Sequence, residues 1–224
     1  APEGIELNAW KGRTLEGGGI DGGITANRGR RTEHLVTLAK LAAEGRISNI
    51  PGWHSAGDGA TEIMMKTYLH YMDPERIKML RTQSDHCHSV TPEEIEIASR
   101  IGHTFSCDST DVPTGVIKEG YGEEYLTWNA PVASMMKAGV NTVISEFGIQ
   151  GGLRDSPFED GVEWLTRKID GEVWGVPEEA VPDKMTLMLM MTRRGAFPLW
   201  KENALGSIEK GKFADLVILN GDYL

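Results

Sequence analysis

The chain has 224 residues, 40% of them hydrophobic and 25% charged, a globular balance with enough apolar material for a core, which excludes disorder along its whole length. Lys and Arg total 23 against 33 Asp and Glu, a net charge of −10, which argues against a nucleic-acid partner. The greasiest run, Met185 to Met191, falls short of the roughly 18 residues a membrane span needs, and two cysteines, Cys87 and Cys107, are too few for a disulfide framework, so a reducing, cytoplasmic setting is expected.

The chain opens Ala-Pro-Glu, with no initiator Met and no signal-peptide pattern over residues 1–11, which suggests a cut, a trimmed chain or a processed subunit. Gly4 to Leu7 predicts a short strand, and Glu16 to Gly23 a loop that lacks the ending of a phosphate-binding motif. Leu35, Leu38, Leu41 and Ala42 recur at helical spacing from Thr32, and Gly45 ends that helix. Ile47 to Ser55 reads as a strand running into a loop. Gly57 to Met72 is helical and is stopped by Asp73-Pro74. Arg76 to His86 reads as a strand. Thr91 to Gly102 is a helix with Thr91 as cap, Pro92 at its first position and Glu94 closing a capping box. His103 to Ser109 is a strand, Pro131 to Gly139 a helix, and Val140 to Gly148 a strand. Asp183 to Leu199 is an apolar helix, and Ala214 to Leu219 a final strand. Repeated strand–helix alternation predicts an α/β fold with buried parallel strands.

Of the six histidines, His54 and His86 stand out, because each follows the apolar part of a predicted strand, as does Glu146. Carboxyl ends of parallel strands are where such folds place their sites. Two imidazoles and a carboxylate there suit a divalent ion such as zinc. His86-Cys87-His88 either presents both rings to one side of a strand or straddles the strand end, and the helix start three residues later favours the second picture. Cys87 then packs rather than binds. His34, His70 and His103 are read as exposed or hydrogen-bonded rings. Asp58 is read either as orienting His54 or as the cap of the helix after it. Glu6 is the carboxylate near the first candidate strand that could reach a metal. The methionines fall on helical apolar faces and are expected in the core.

Four segments resemble the amidohydrolase superfamily, in its N-substituted formamide deformylase-like branch: His54-Ser-Ala-Gly-Asp-Gly-Ala, Asp85-His86 before SVTPEEI, MTLMLMMTRRGAF, and the tail LGSIEKGKFADLVIL. The resemblance covers roughly His34 to the C-terminus. It implies the C-terminal half of a metal-dependent (β/α)8 TIM barrel over residues 1–203, about strands four to eight. Residues 204–224 are then the return to a small β-sandwich. It implies His54 and His86 as metal ligands, Glu6 near the fourth-strand position, and Glu146 as the proton-shuttling carboxylate, where the family's Asp is replaced by Glu. Ser145 precedes that Glu, and Ser145, His88 and Asp58 are assigned to the surrounding shell or to substrate. If Glu146 is not the base, Asp58 and Asp108 are the next to test.

No H-x-H precedes His54, so a partner chain carrying the first half of the barrel, with that motif, is implied, together with a higher oligomer. The expected reaction is hydrolysis of an amide- or formamide-type C–N bond in a small molecule by metal-activated water, with one or two ions, zinc preferred. Neither nucleic acid nor membrane enters. The alternatives are a non-catalytic structural subunit, or a lyase or isomerase on the same fold.

Overall fold

The computed structural model describes residues 32–50, 52–55, 57–108, 118, 122–144, 157–169 and 171–223. The expectations for Gly4 to Leu7, the 16–23 loop, Glu6, Ser145 and Glu146 lie outside the described residues.

The first described element is helix α1 (Thr32–Ala43), and its Leu35, Ala39 and Ala42 are fully buried at the spacing of one helical face. Strand β1 (Trp53–His54) leads into α2 (Asp58–Tyr71), α3 (Pro74–Leu80) and β2 (Gln83–His86). Helix α4 (Pro92–Ile101) leads into β3 (Thr104–Cys107), and a 3-10 turn at Glu123–Trp128 precedes α5 (Val132–Lys137) and β4 (Asn141–Ile144). The four strands form one parallel sheet in the order β1-β2-β3-β4, so their carboxyl ends share one edge. This is the α/β architecture the alternation predicts. Among the described residues the sheet is open, not a closed barrel.

Register decides which side chains share a face. His86 pairs with Cys107, and Cys107 with Ile144. Cys107, Phe105 two residues earlier, and Ile144 pack in one hydrophobic core with Ile97, Ala98, Ile101 and Met135. The intervening positions Gln83, Asp85, Ser106 and Asn141 are only half-buried. Phe105, Cys107 and Ile144 thus share one face of the sheet with buried Ser84, His86 and Thr142, and the half-buried positions lie on the other. Met64, Met65, Met135 and Met190 are buried, as the core reading of the methionines expects, but Met136, Met188 and Met191 are only half-buried and Met185 is exposed, so that reading holds in part.

Helix α4 has the capping box read from sequence. The Thr91 hydroxyl accepts from the Glu94 N–H at 3.3 Å, and the Glu94 carboxylate accepts from the Thr91 N–H at 2.7 Å. Gly102 ends it at φ 64°, a conformation glycine adopts without the Cβ clash.

The strand expected over Arg76 to His86 is corrected in its first half. Asp73-Pro74 stops α2 but also starts α3: Asp73 caps the new helix by accepting from the Arg76 N–H at 2.8 Å, and Pro74 fits its first turn. Only Gln83–His86 is strand. The single helix expected over Asp183 to Leu199 is two, α7 (Lys184–Met191) and α8 (Arg193–Ala196), broken at Thr192. Between β4 and α7 lie α6 (Pro157–Thr166) and a small antiparallel pair, β5 (Lys168–Ile169) with β6 (Glu172–Val173). Sequence pattern gave no element there.

Ala214 to Leu219 has no ladder partner among the described residues, and Leu216, Val217 and Ile218 are exposed. A strand needs a neighbour to satisfy its backbone, and none is placed beside this segment. The tail is anchored earlier, where the Arg81 guanidinium is paired with the Glu202 carboxylate at 2.7 Å and stacks on Phe197 and Trp200.

Two cysteines are too few for a disulfide framework and lead to the expectation of a reducing setting. The structure instead joins Cys87 to Cys107 in a disulfide, with Cα atoms 5.1 Å apart. Their separation of 20 residues hides the proximity, which comes from the pairing of β2 with β3.

His103 is fully buried between two hydroxyls, with Nδ1 at 2.9 Å from Thr82 Oγ1 and Nε2 at 3.0 Å from Ser84 Oγ. This is the hydrogen-bonded ring the sequence reading expects. Burial pulls its pKa down to about 3. The folded value lies below the ordinary one of about 6.5, so protonation favours unfolding. Its stabilising effect is complete above about pH 6.5 and is lost toward pH 3, at about 1.4 kcal/mol per pH unit once the unfolded state is protonated. Urea melts of wild type and His103→Gln at pH 7 and 5 are expected to diverge by about 2 kcal/mol, with wild type the more acid-sensitive. Parallel losses would remove His103 as the cause.

Candidate metal centre

His86 is the last residue of β2, and its backbone turns left-handed at φ 75°, followed by Cys87 at 42° and Ser89 at 54°. Non-glycine residues rarely sit there, and a run of them marks a segment held in place by its surroundings. The turn is tied down twice by backbone bonds. The Gly57 N–H donates to the His88 carbonyl at 3.3 Å, and the Val90 N–H to the Trp128 carbonyl at 2.9 Å.

This distorted turn brings both rings of the H-x-H unit to one carboxylate. Asp108, the first residue after β3, lies with Oδ2 at 2.8 Å from His86 Nδ1 and Oδ1 at 3.3 Å from His88 Nε2. The ring centroids of His86 and His88 are 5.5 Å apart. All three residues are buried, and one ligand atom from each falls within 4.8 Å of the others. Burial alone would raise the Asp108 carboxyl, but the charges and hydrogen bonds of His88 and His86 outweigh it and hold the group well below the usual carboxylate range. Asp108 is therefore an anion at neutral pH.

One atom of this cluster is orphaned. His88 Nδ1 is buried with no hydrogen-bond partner, whereas Asp108 Oδ1 faces His88 Nε2 at 3.3 Å. Buried polar atoms without partners are uncommon in native structures and need a reason. An unpartnered imidazole nitrogen in a buried cluster with a second imidazole and a carboxylate fits a borderline cation such as zinc.

The remaining sequence candidates fall as follows. His54 ends β1 in register with Asp85, one residue short of His86 along β2. Its side chain lies outside what the structure describes. Asp58 is buried at the first helical position of α2, and Gly57 occupies the cap position, so the cap reading of Asp58 is not met. Glu94 nearby is raised by burial above all, opposed by its Thr91 bonds and reinforced by the Asp58 and Glu62 charges. His34 and His70 are exposed.

Sequence reading placed His88 outside the ligand set and named Asp108 only as a reserve base. The signal for Asp108 was present: an acid directly after the strand that follows the one ending in H-x-H.

No family model matches the chain, and no curated protein matches it. In fold, the chain is similar to the crystal structure of an uncharacterized metal-dependent hydrolase from Pyrococcus furiosus, with TM-score 0.68 and 16% identity, over 91% of this chain and 41% of that one. It is also similar to an uncharacterized metal-dependent hydrolase from Pyrococcus horikoshii OT3, with TM-score 0.63 and 17% identity over the same shares. Identity this low establishes likeness of fold alone. The chain spans about two fifths of the length of these structures.

Proposed function

We propose that this chain is the C-terminal part of a metal-dependent hydrolase of the amidohydrolase type, acting on a C–N bond of a small molecule. The observation that carries the reading is the buried His86–Asp108–His88 cluster with its orphaned His88 Nδ1. It sits at the sheet edge where parallel α/β folds place their sites. Support of a coarser kind comes from the fold, which resembles proteins described as metal-dependent hydrolases.

In this reading His86, His88 and Asp108 hold a divalent cation, with His54 from the neighbouring strand as a further ligand. A bound cation of this kind polarises a substrate carbonyl and brings the pKa of water toward about 7. Asp108 orients the two imidazoles and supplies the negative charge a cation site needs. Glu146 moves the proton from water to the leaving amine, and Glu6 adds a carboxylate. Asp58 and Ser145 border the substrate. The barrel is completed by a chain or segment carrying the first half and its H-x-H, because the described sheet has only four strands.

Glu146→Gln keeps the side chain's shape and removes the base. The expected result is a fall in kcat of at least about 10²-fold, with metal content nearly unchanged. Unchanged kcat would pass the role to another carboxylate, Asp58 first.

A second reading, a structural subunit without chemistry, has one observation in its favour: His86 Nδ1 and Asp108 Oδ2 already satisfy each other at 2.8 Å. Metal analysis of the purified protein separates the two. Stoichiometric divalent metal supports the hydrolase, whereas metal-free protein that takes up none supports the structural subunit.

A further inference from the structure

The Cys87–Cys107 disulfide joins the two segments that carry the candidate metal centre. Cys87 stands between His86 and His88, and Cys107 directly precedes Asp108. The bond therefore links the strand end that carries both imidazoles to the strand end that carries the carboxylate. Both sulfur-bearing residues are buried, Cys87 at 1% and Cys107 at 0% exposure, so the bond is shielded from exchange with solution thiols. The turn it anchors is the one with left-handed His86, Cys87 and Ser89, which relaxes unless its neighbours hold it.

Resting on the metal-centre reading above, we infer that Cys87 and Cys107 are positioning residues. Their disulfide braces the 86–89 turn so that His86 and His88 face Asp108 in one ligand set. Its formation takes two electrons and two protons from the thiols and passes them to a disulfide oxidant, which leaves as a dithiol. The buried bond is a standing brace, not a switch.

The test uses the full chain, with any segment that purifies with it, and Co²⁺ as the probe. Thiol titration in denaturant without reductant comes first, and no free thiol is expected. Two free thiols per chain would overturn the brace whatever the variants do. Co²⁺ titration of wild type and of Cys87→Ala/Cys107→Ala follows, read by the d–d absorption band. Loss of a group that orients ligands typically weakens binding about 10–100-fold. That loss is expected in the double variant, with a changed d–d spectrum while far-UV circular dichroism stays native. If the variant does not fold, Cys87→Val/Cys107→Val replaces it, because apolar branched side chains refill the space. Wild-type affinity and spectrum in a folded variant would sink the proposal and leave the metal centre intact. Absence of Co²⁺ binding by wild type would sink the metal-centre reading itself.

Discussion

Replacing Asp108 with asparagine is expected to strip the protein of most of its bound metal without unfolding it. Asparagine keeps the shape and can still hydrogen-bond His86, but it removes the anion that the buried imidazoles surround. Among the described residues Asp108 is the one carboxylate of the cluster, and a cation site that loses it keeps less negative charge to balance the ion, so affinity should fall by at least about 10–100-fold. His86→Ala should lose metal as fully, because it removes one of the two imidazole ligands and the group that holds Asp108 in place. His34→Ala and His70→Ala, at exposed positions, should keep wild-type content. Inductively coupled plasma mass spectrometry on the four variants reads the outcome. Full metal in Asp108→Asn would show that the cluster is held together by hydrogen bonds and not by an ion.

The second large effect is on stability and lies far from the metal. Arg167 is fully buried, and its guanidinium donates to the Asn129 carbonyl at 2.8 Å and the Ala130 carbonyl at 3.3 Å. It also lies 3.5 Å from the centroid of Trp174, which meets Trp164 edge-on. A buried cation is stabilised only where carbonyls and aromatic faces replace its water. Gly175 shows how closely the group is fitted, since a Cβ there would overlap the Arg167 Nη2 atom. Arg167→Ala leaves a cavity and two carbonyls without a donor, at a cost of about 3–5 kcal/mol. For a domain of this size that corresponds to a drop in Tm of roughly 10 °C. Arg100→Ala, at an exposed position, should change stability by less than about 0.5 kcal/mol. Differential scanning calorimetry of both variants checks this, and a shift for Arg167→Ala no larger than that for Arg100→Ala would remove the clamp from the account.

Much of the fold is written in local pattern. The capping box at Thr91 and Glu94 and the periodic leucines of α1 locate their helices because the signals lie within one or two turns. Asp73-Pro74 misled because one dipeptide both ends a helix and begins another, and only the length of the following strand separates these readings. Helix α6 was missed because Gly161 interrupts its pattern in a Gly-rich stretch of sequence, and in the fold Leu187 packs against that glycine.

The site was legible in half. His86 stands at a strand end, which sequence can locate. Asp108 joins it across 22 residues only through the pairing of β2 with β3, and that pairing is a tertiary fact. His88 was set aside because the H-x-H unit was read as straddling the strand end with one ring turned away, whereas the left-handed backbone at His86 and Cys87 brings both rings to Asp108. The same pairing hid the disulfide.

The most direct test is anomalous diffraction at the zinc edge from crystals of the zinc-loaded protein. The expected result is one strong peak enclosed by His86, His88 and Asp108. Zinc bound elsewhere, or no peak in this pocket while the three side chains keep their mutual hydrogen bonds, would contradict the metal centre.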